Sequence, residues 1–189
     1  ITINPSPVLV ITNPAAVCAP STVDITAAAV TAGSTGGGTL SYWSDAAATI
    51  ALASPGAITT SGTYYIQSTL GSCTDIEPVV VTINTTPVLV ITNPTPVCAP
   101  LTVNITAAAV TAGSTGGGTL SYWSDAAGTI ALASPGAITT SGTYYIRSTV
   151  GTCTDIEPVV VTINPSPVLT ITNPAAVCAP STVDITAAA

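Results

Sequence analysis

Ser61-Gly62-Thr63-Tyr64-Tyr65-Ile66-Gln67-Ser68-Thr69-Leu70-Gly71-Ser72-Cys73 is the stretch on which the fold class turns. Ser61-Gly62 and Gly71-Ser72 are turn dipeptides. Thr63–Thr69 between them is rich in the β-branched and aromatic residues that favour a pleated, half-buried surface. Working toward the C-terminus, Val79–Ile83 alternates so that Val79, Val81 and Ile83 share a face, and it closes the unit. Working toward the N-terminus, Thr39–Ser44 carries Tyr42-Trp43 behind a Gly36-Gly37-Gly38 turn. Weaker strands are expected at Ile50–Leu52 and Ala57–Thr60, with Ser54-Pro55-Gly56 turning between them. Val8–Thr12 reads as a first strand stopped at Asn13-Pro14. Val23–Thr31 reads as a second, with Val23 and Ile25 on one face and Asp24 and Thr26 on the other. Helix competes only in Ala27-Ala28-Ala29, where flanking Thr26, Val30 and Thr31 favour a strand. No apolar spacing of 3.6 residues is sustained. About seven short strands imply an all-β, two-sheet sandwich.

That unit is repeated. Thr2-Ile3-Asn4 recurs as Thr82-Ile83-Asn84 and Thr162-Ile163-Asn164, a period of 80 residues. Pro7–Thr86 and Pro87–Ser166 differ at ten of these 80 positions: Ala15/Thr95, Ala16/Pro96, Ser21/Leu101, Asp24/Asn104, Ala48/Gly128, Gln67/Arg147, Leu70/Val150, Ser72/Thr152, Thr85/Pro165 and Thr86/Ser166. Copies so similar must fold alike. Eighty residues exceeds a solenoid repeat and suits a small independent domain. The organisation expected is therefore residues 1–6 ending a preceding repeat, 7–86 and 87–166 as full domains, and 167–189 opening a third. The proline-containing links around Asn84–Pro87 and Asn164–Pro167 should be short and stiff. With no initiator Met and no targeting segment, the chain reads as an internal piece of something longer.

Composition removes most functions. Of 189 residues one is basic, Arg147, and eight are acidic; His and Lys are absent and the net charge is −7. Imidazole-based acid–base pairs, Schiff-base lysines and phosphate-cradling lysines are thereby excluded, so no catalytic residue is expected. One cation cannot neutralise a row of phosphates, which argues against nucleic acid and anionic membrane surfaces as partners. The mean hydropathy of +0.66 comes from uncharged Thr, Ala, Val and Gly rather than from a 20-residue apolar run, so no membrane insertion is expected.

Five cysteines, Cys18, Cys73, Cys98, Cys153 and Cys178, allow two pairings. Within a repeat they give Cys18–Cys73 and Cys98–Cys153, leaving Cys178 without its partner. Across the links they give Cys73–Cys98 and Cys153–Cys178. The first is expected, because a small exposed domain gains most from an internal staple. Neither a cysteine nucleophile nor a four-ligand zinc site fits this inventory. Asp75 with Glu77, and Asp155 with Glu157, stand at i and i+2 on one strand face, where calcium is conceivable but solvated acids are the plainer reading. Trp43 and Tyr64, with Trp123 and Tyr144, are candidate ligand-facing aromatics for sugar stacking; filling of the core is the alternative. No cofactor is expected.

The order of Cys18, Tyr42-Trp43-Ser44, Ser61–Tyr65, Gly71–Cys73 and Val79–Asn84 resembles the immunoglobulin-like repeats of giant Bacteroidota surface proteins, including gliding-motility adhesins and other type IX secretion substrates. The resemblance implies export, display on the cell surface, and adhesion or filament formation. It departs from antibody-type domains because the cysteines lie beside strand ends, so the buried core disulfide of those domains is not carried over. With no Lys, isopeptide staples cannot form. Near-identical copies supply reach and multivalency. The expected role is a stalk or filament section of a long extracellular adhesin, whose partners are neighbouring repeats, other copies in a fibre, and surface glycans or abiotic surfaces. A laterally associated sheath and a glycan-binding array are the alternatives.

Overall fold

The computed structural model describes residues 5–186; the Thr2-Ile3-Asn4 motif and most of the leading 1–6 piece lie outside the described residues. The first repeat holds β1 (Val17–Cys18), a 3-10 turn (Ala28–Thr31), β2 (Thr39–Trp43), β3 (Gly62–Leu70), β4 (Cys73–Val81) and β5 (Ile83–Asn84). The second holds β6 (Val97–Cys98), a 3-10 turn (Ala108–Val110), β7 (Thr119–Trp123), β8 (Gly142–Val150), β9 (Cys153–Val161) and β10 (Ile163–Asn164).

The stretch that decided the fold class forms β3, the middle of a three-stranded antiparallel sheet ordered β2-β3-β4 and copied as β7-β8-β9. Its pairing with β4 runs unbroken from Gly62↔Val81 to Leu70↔Cys73 across a two-residue turn. Gly71 takes that turn at φ +61°, in the left-handed region that glycine reaches without steric cost. On the inner face Ile66, Val79 and Val81 are buried, and Ser68 is buried with its hydroxyl donating to the Gly37 carbonyl at 2.9 Å.

The opposing layer is looser. The expected strand Val8–Thr12 bridges Thr35 through Val8 and takes one further backbone bond, Thr12 N–H to the Val30 carbonyl, and Ala57–Thr60 bridges Val23 through Ile58; Ile50–Leu52 instead pairs with β2 through Ala51↔Trp43, at the edge of the three-stranded sheet. Val23–Thr31 is corrected: after Val23 the chain turns rather than continuing as a strand. The Asp24 carboxylate accepts the Thr26 N–H at 2.7 Å, folding the backbone over itself. The alanines then close a 3-10 turn in which Val30 N–H donates to the Ala27 carbonyl at 2.9 Å. Alanine has no branched Cβ to resist this, and the turn buries Val30.

Leu9, Val23, Ile25, Val30 and Ile58 from this layer meet Ile66, Val79 and Val81 from the sheet in one core. Leu89, Val103, Ile105, Val110 and Ile138 meet Ile146, Val159 and Val161 in the other. Residues 167–186 have no such partner sheet. Leu169 is 82 % and Ile185 85 % exposed, against 6 % for Leu9 and 0 % for Ile25. Leu169 and Ile185 stand two periods on from Leu9 and Ile25, so the same residue types are bare in one setting and buried in the other.

Candidate functional site at the junction of the repeats

Each hairpin has a tip and a base at opposite ends of its repeat. In the first repeat β1 pairs in parallel with β5 at the base, placing Cys18 opposite Asn84. Ala19 N–H donates to the Asn84 carbonyl at 2.9 Å, and the Thr86 hydroxyl donates to the Ala19 carbonyl. Against this base sits the β8–β9 tip of the second repeat. Gly151 packs so tightly on the Asn84 side chain that a Cβ there would overlap the amide nitrogen. Cys153 is joined to Cys18 by a disulfide, Cα–Cα 5.7 Å, across 135 residues of sequence. Thr85 in the link also donates to the Gly116 carbonyl of the second repeat at 3.1 Å.

The expected pairs Cys18–Cys73 and Cys98–Cys153 do not form. Cys73 and Cys98 carry free thiols, as does Cys178 in the exposed third piece. The reason is geometric. Cys73 opens β4 at the tip, whereas Cys18 lies beside Asn84, beyond the other end of that nine-residue strand. At ~3.3 Å per residue the two ends are about 30 Å apart, while bridged Cα atoms need less than ~7 Å. Cys98, beside Asn164, and Cys153 at the β8–β9 tip stand in the same relation. Pairing of Cys73 with Cys98 or Cys153 with Cys178 across the links is likewise not what the structure holds.

The aromatics divide between the two faces of the sheet. Tyr42 and Tyr64 pack against the core, and Tyr64 hydroxyl donates to the Thr60 carbonyl at 3.0 Å. Tyr122 and Tyr144 do the same in the second repeat. Burial pushes the Tyr42 and Tyr122 phenols above their ordinary pKa. Trp43 follows Tyr42 and therefore lies on the opposite, outward face, half-buried, in register with Tyr65 and, beyond it, Pro78. Its Nε1–H donates to Ser41 Oγ at 3.0 Å, and Trp123 does likewise to Ser121.

Two of the differences between the repeats meet on this outward face. Arg147 lies over the Trp123 ring, 4.2 Å from its centroid, with its Nε buried and without a hydrogen-bond partner. A Cβ on Gly128 would come within 2.9 Å of the Arg147 guanidinium. The first repeat has Gln67 and Ala48 at these places. Two of the ten differences are therefore one exchange: where the long cation arrives, the neighbouring methyl is gone.

The acidic candidates act on backbone. Asp75 Oδ2 accepts the Leu9 N–H at 2.6 Å, and Asp155 Oδ2 the Leu89 N–H at 2.7 Å, tying the first core residue of each repeat to β4 or β9. Glu77 and Glu157 lie cross-strand from Ile66 and Ile146. No group of three or more His, Cys, Asp or Glu able to hold a metal occurs among the described residues. Asp45 accepts the Ile50 N–H at 2.7 Å and the Thr49 N–H and hydroxyl, holding its carboxyl below the ordinary range; Asp125 does so chiefly through the Ile130 N–H. Asp24 is lowered mainly by the Thr26 hydroxyl.

Neither the covalent junction nor the Gly128–Arg147 exchange was anticipated from sequence. A glycine turn directly before Cys153 is the signal that sets this cysteine on a hairpin tip.

No protein-family model and no curated protein matches the chain. Solved structures do: Drosophila OTK extracellular domains 3–5 at 13 % identity, covering 67 % of this chain and 51 % of that one with a TM-score of 0.47. Sidekick-1 immunoglobulin domains 1–4 match at 10 % identity over 84 % of this chain and 49 % of that one, TM-score 0.46. The I-band fragment I67–I69 from titin matches at 12 % over 68 % and 55 %, TM-score 0.39. The chain spans about half the length of the OTK and Sidekick-1 fragments. By its own layers and pairing the chain is all-β, a tandem of immunoglobulin-like sandwich domains.

Proposed function

We propose that the chain is a stalk or filament section of a long, repetitive extracellular adhesin, contributing reach rather than chemistry. The observation that carries this reading is the junction: two near-identical domains are locked tip to base by a disulfide that spans most of both. A bond of this kind belongs to an oxidising, extracellular setting. It suits a part that must hold a fixed shape under load, and small sandwiches with no cleft-borne acid–base pair have no evident catalytic role. No helix among the described residues is long and apolar enough to cross a membrane. Within this reading 7–86 and 87–166 are the beads of the stalk, and attachment to glycans or abiotic surfaces belongs to the many-copy protein through multivalency.

The outward Trp43 supports a second reading, a glycan-binding array, because it offers an aromatic surface beside Tyr65, whereas the Trp123 ring is covered on one face by Arg147. Beads coated with the chain and washed over immobilised polysaccharide or bare polystyrene separate the two. The stalk reading expects retention no higher than uncoated beads at low coating density. Retention on polysaccharide that Trp43→Ala with Trp123→Ala abolishes would replace it with the glycan reading.

A further inference from the structure

We infer that the Cys18–Cys153 bond is one rung of a propagating ladder, in which the base cysteine of every repeat is bonded to the tip cysteine of the repeat that follows. The junction is heterologous: the base of the first repeat receives the tip of the second, so the first repeat keeps an unused tip and the second an unused base. Both unused halves are present. At the far base, Cys98 pairs opposite Asn164 in the parallel register that Cys18 has with Asn84. Ala99 N–H donates to the Asn164 carbonyl at 2.9 Å, and the Ser166 hydroxyl donates to the Ala99 carbonyl, as Ala19, Asn84 and Thr86 do at the occupied base. At the far tip, Gly71 has positive φ and precedes Cys73 by the same spacing as Gly151 and Cys153. Occupancy is what distinguishes them. Asn84 and Cys18 are half-buried under the docked tip, whereas Asn164 and Cys98 are exposed.

Cys98 is therefore not an isolated thiol but a copy of a bonded one in the same local structure. Each rung forms when two thiols lose two protons and two electrons to a disulfide oxidant, a small molecule or a protein, which is released as two thiols.

The ladder has a property that in-repeat staples lack. A rung spans 135 residues while the period is 80, so successive rungs overlap. Every position in a long array lies inside at least one closed loop, and a single backbone cut anywhere leaves the fibre covalently continuous. With pairing inside each repeat, a cut in any link would sever it. The inference rests on the junction geometry and not on the adhesin role, so it stands or falls independently of that reading.

Two extended chains test it. In one, a copy of residues 110–166 follows Ala189, completing the third repeat; in the other, a copy of residues 87–160 precedes Ile1, completing a repeat before the first. Each is reduced, refolded with oxidised glutathione, and mapped by mass spectrometry without reductant, with folding of the added repeat followed by circular dichroism. The expected products are Cys98 joined to the added counterpart of Cys153 in the first chain, and Cys73 joined to the added counterpart of Cys98 in the second, with Cys18–Cys153 retained in both. Cleavage of the first chain after its two arginines should leave one species of undiminished mass, which loses its terminal fragment in the Cys98→Ser variant. Free Cys98 or Cys73 beside a folded added repeat, or either bonded inside its own repeat, overturns the ladder. Because the two extensions fold independently, one folded arm suffices to decide.

Discussion

At the scale of single residues, Gly128 and Arg147 give the clearest test. Gly128 sits at φ +63°, and an added methyl would crowd the guanidinium stacked on Trp123. Gly128→Ala should cost the second repeat about 1–2 kcal/mol, the scale of a left-handed Cβ plus displacement of a stacked cation. Adding Arg147→Gln recreates the Ala48/Gln67 pair of the first repeat and should recover part of that loss. A double-mutant cycle read by denaturant unfolding and Trp fluorescence should return a coupling of roughly 0.5–3 kcal/mol, and strict additivity would mean the two differences are unrelated. The carboxylates make a second test. Asp24, Asp45 and Asp125 are held below their ordinary pKa by hydrogen bonds to the ionised form. Their contribution is complete above the unfolded pKa and lost as pH falls through the folded one. Thermal midpoints should be flat from about pH 5 to 8 and decline below about pH 4. Asp45→Asn with Asp125→Asn should reduce that acid-side decline.

Among elements, the long hairpin holds each repeat together, β3 with β4 in the first and β8 with β9 in the second. Ile66 on β3 is fully buried between the layers, so Ile66→Ala should destabilise the first repeat by about 2–5 kcal/mol in urea titration while leaving the second close to wild type. The sheet was legible because β3 carries its own evidence: turn dipeptides at both ends and strand formers between them. The opposing layer was less legible. Val23–Thr31 mixes strand formers with an alanine run, and what breaks the strand is the side-chain contact of Asp24 with the Thr26 N–H. Such local competition between a carboxylate and the ladder leaves no periodic mark in the sequence.

Across the whole molecule, the junction changes how the chain carries load and how it can be cut. Arg147 offers a single tryptic site, inside both the 18–153 loop and the alternative 98–153 loop. Cut in urea with free thiols alkylated and no reductant, the wild-type chain should stay one species. Cys18→Ser should release the 148–189 fragment and Cys98→Ser should not; the reverse would restore pairing inside the repeat. Pulled from its ends in an optical trap, the oxidised chain should hide the 135-residue span between Cys18 and Cys153, and reduction should release about 450 Å of contour at ~3.4 Å per residue.

The sequence by itself determined what is local or periodic. Alternation in Val79–Ile83, glycine turns around Thr63–Thr69, the 80-residue period and the absence of His and Lys together define an all-β tandem without imidazole or amine chemistry. Only the tertiary structure decided the cysteine partners, the inward or outward facing of Trp43 and Tyr64, and the Gly128–Arg147 exchange. Each depends on distances between residues remote in sequence. Spacing along the chain makes Cys73 the nearer candidate for Cys18, but the length of β4 carries it to the opposite end of the repeat, and the next repeat brings Cys153 there instead.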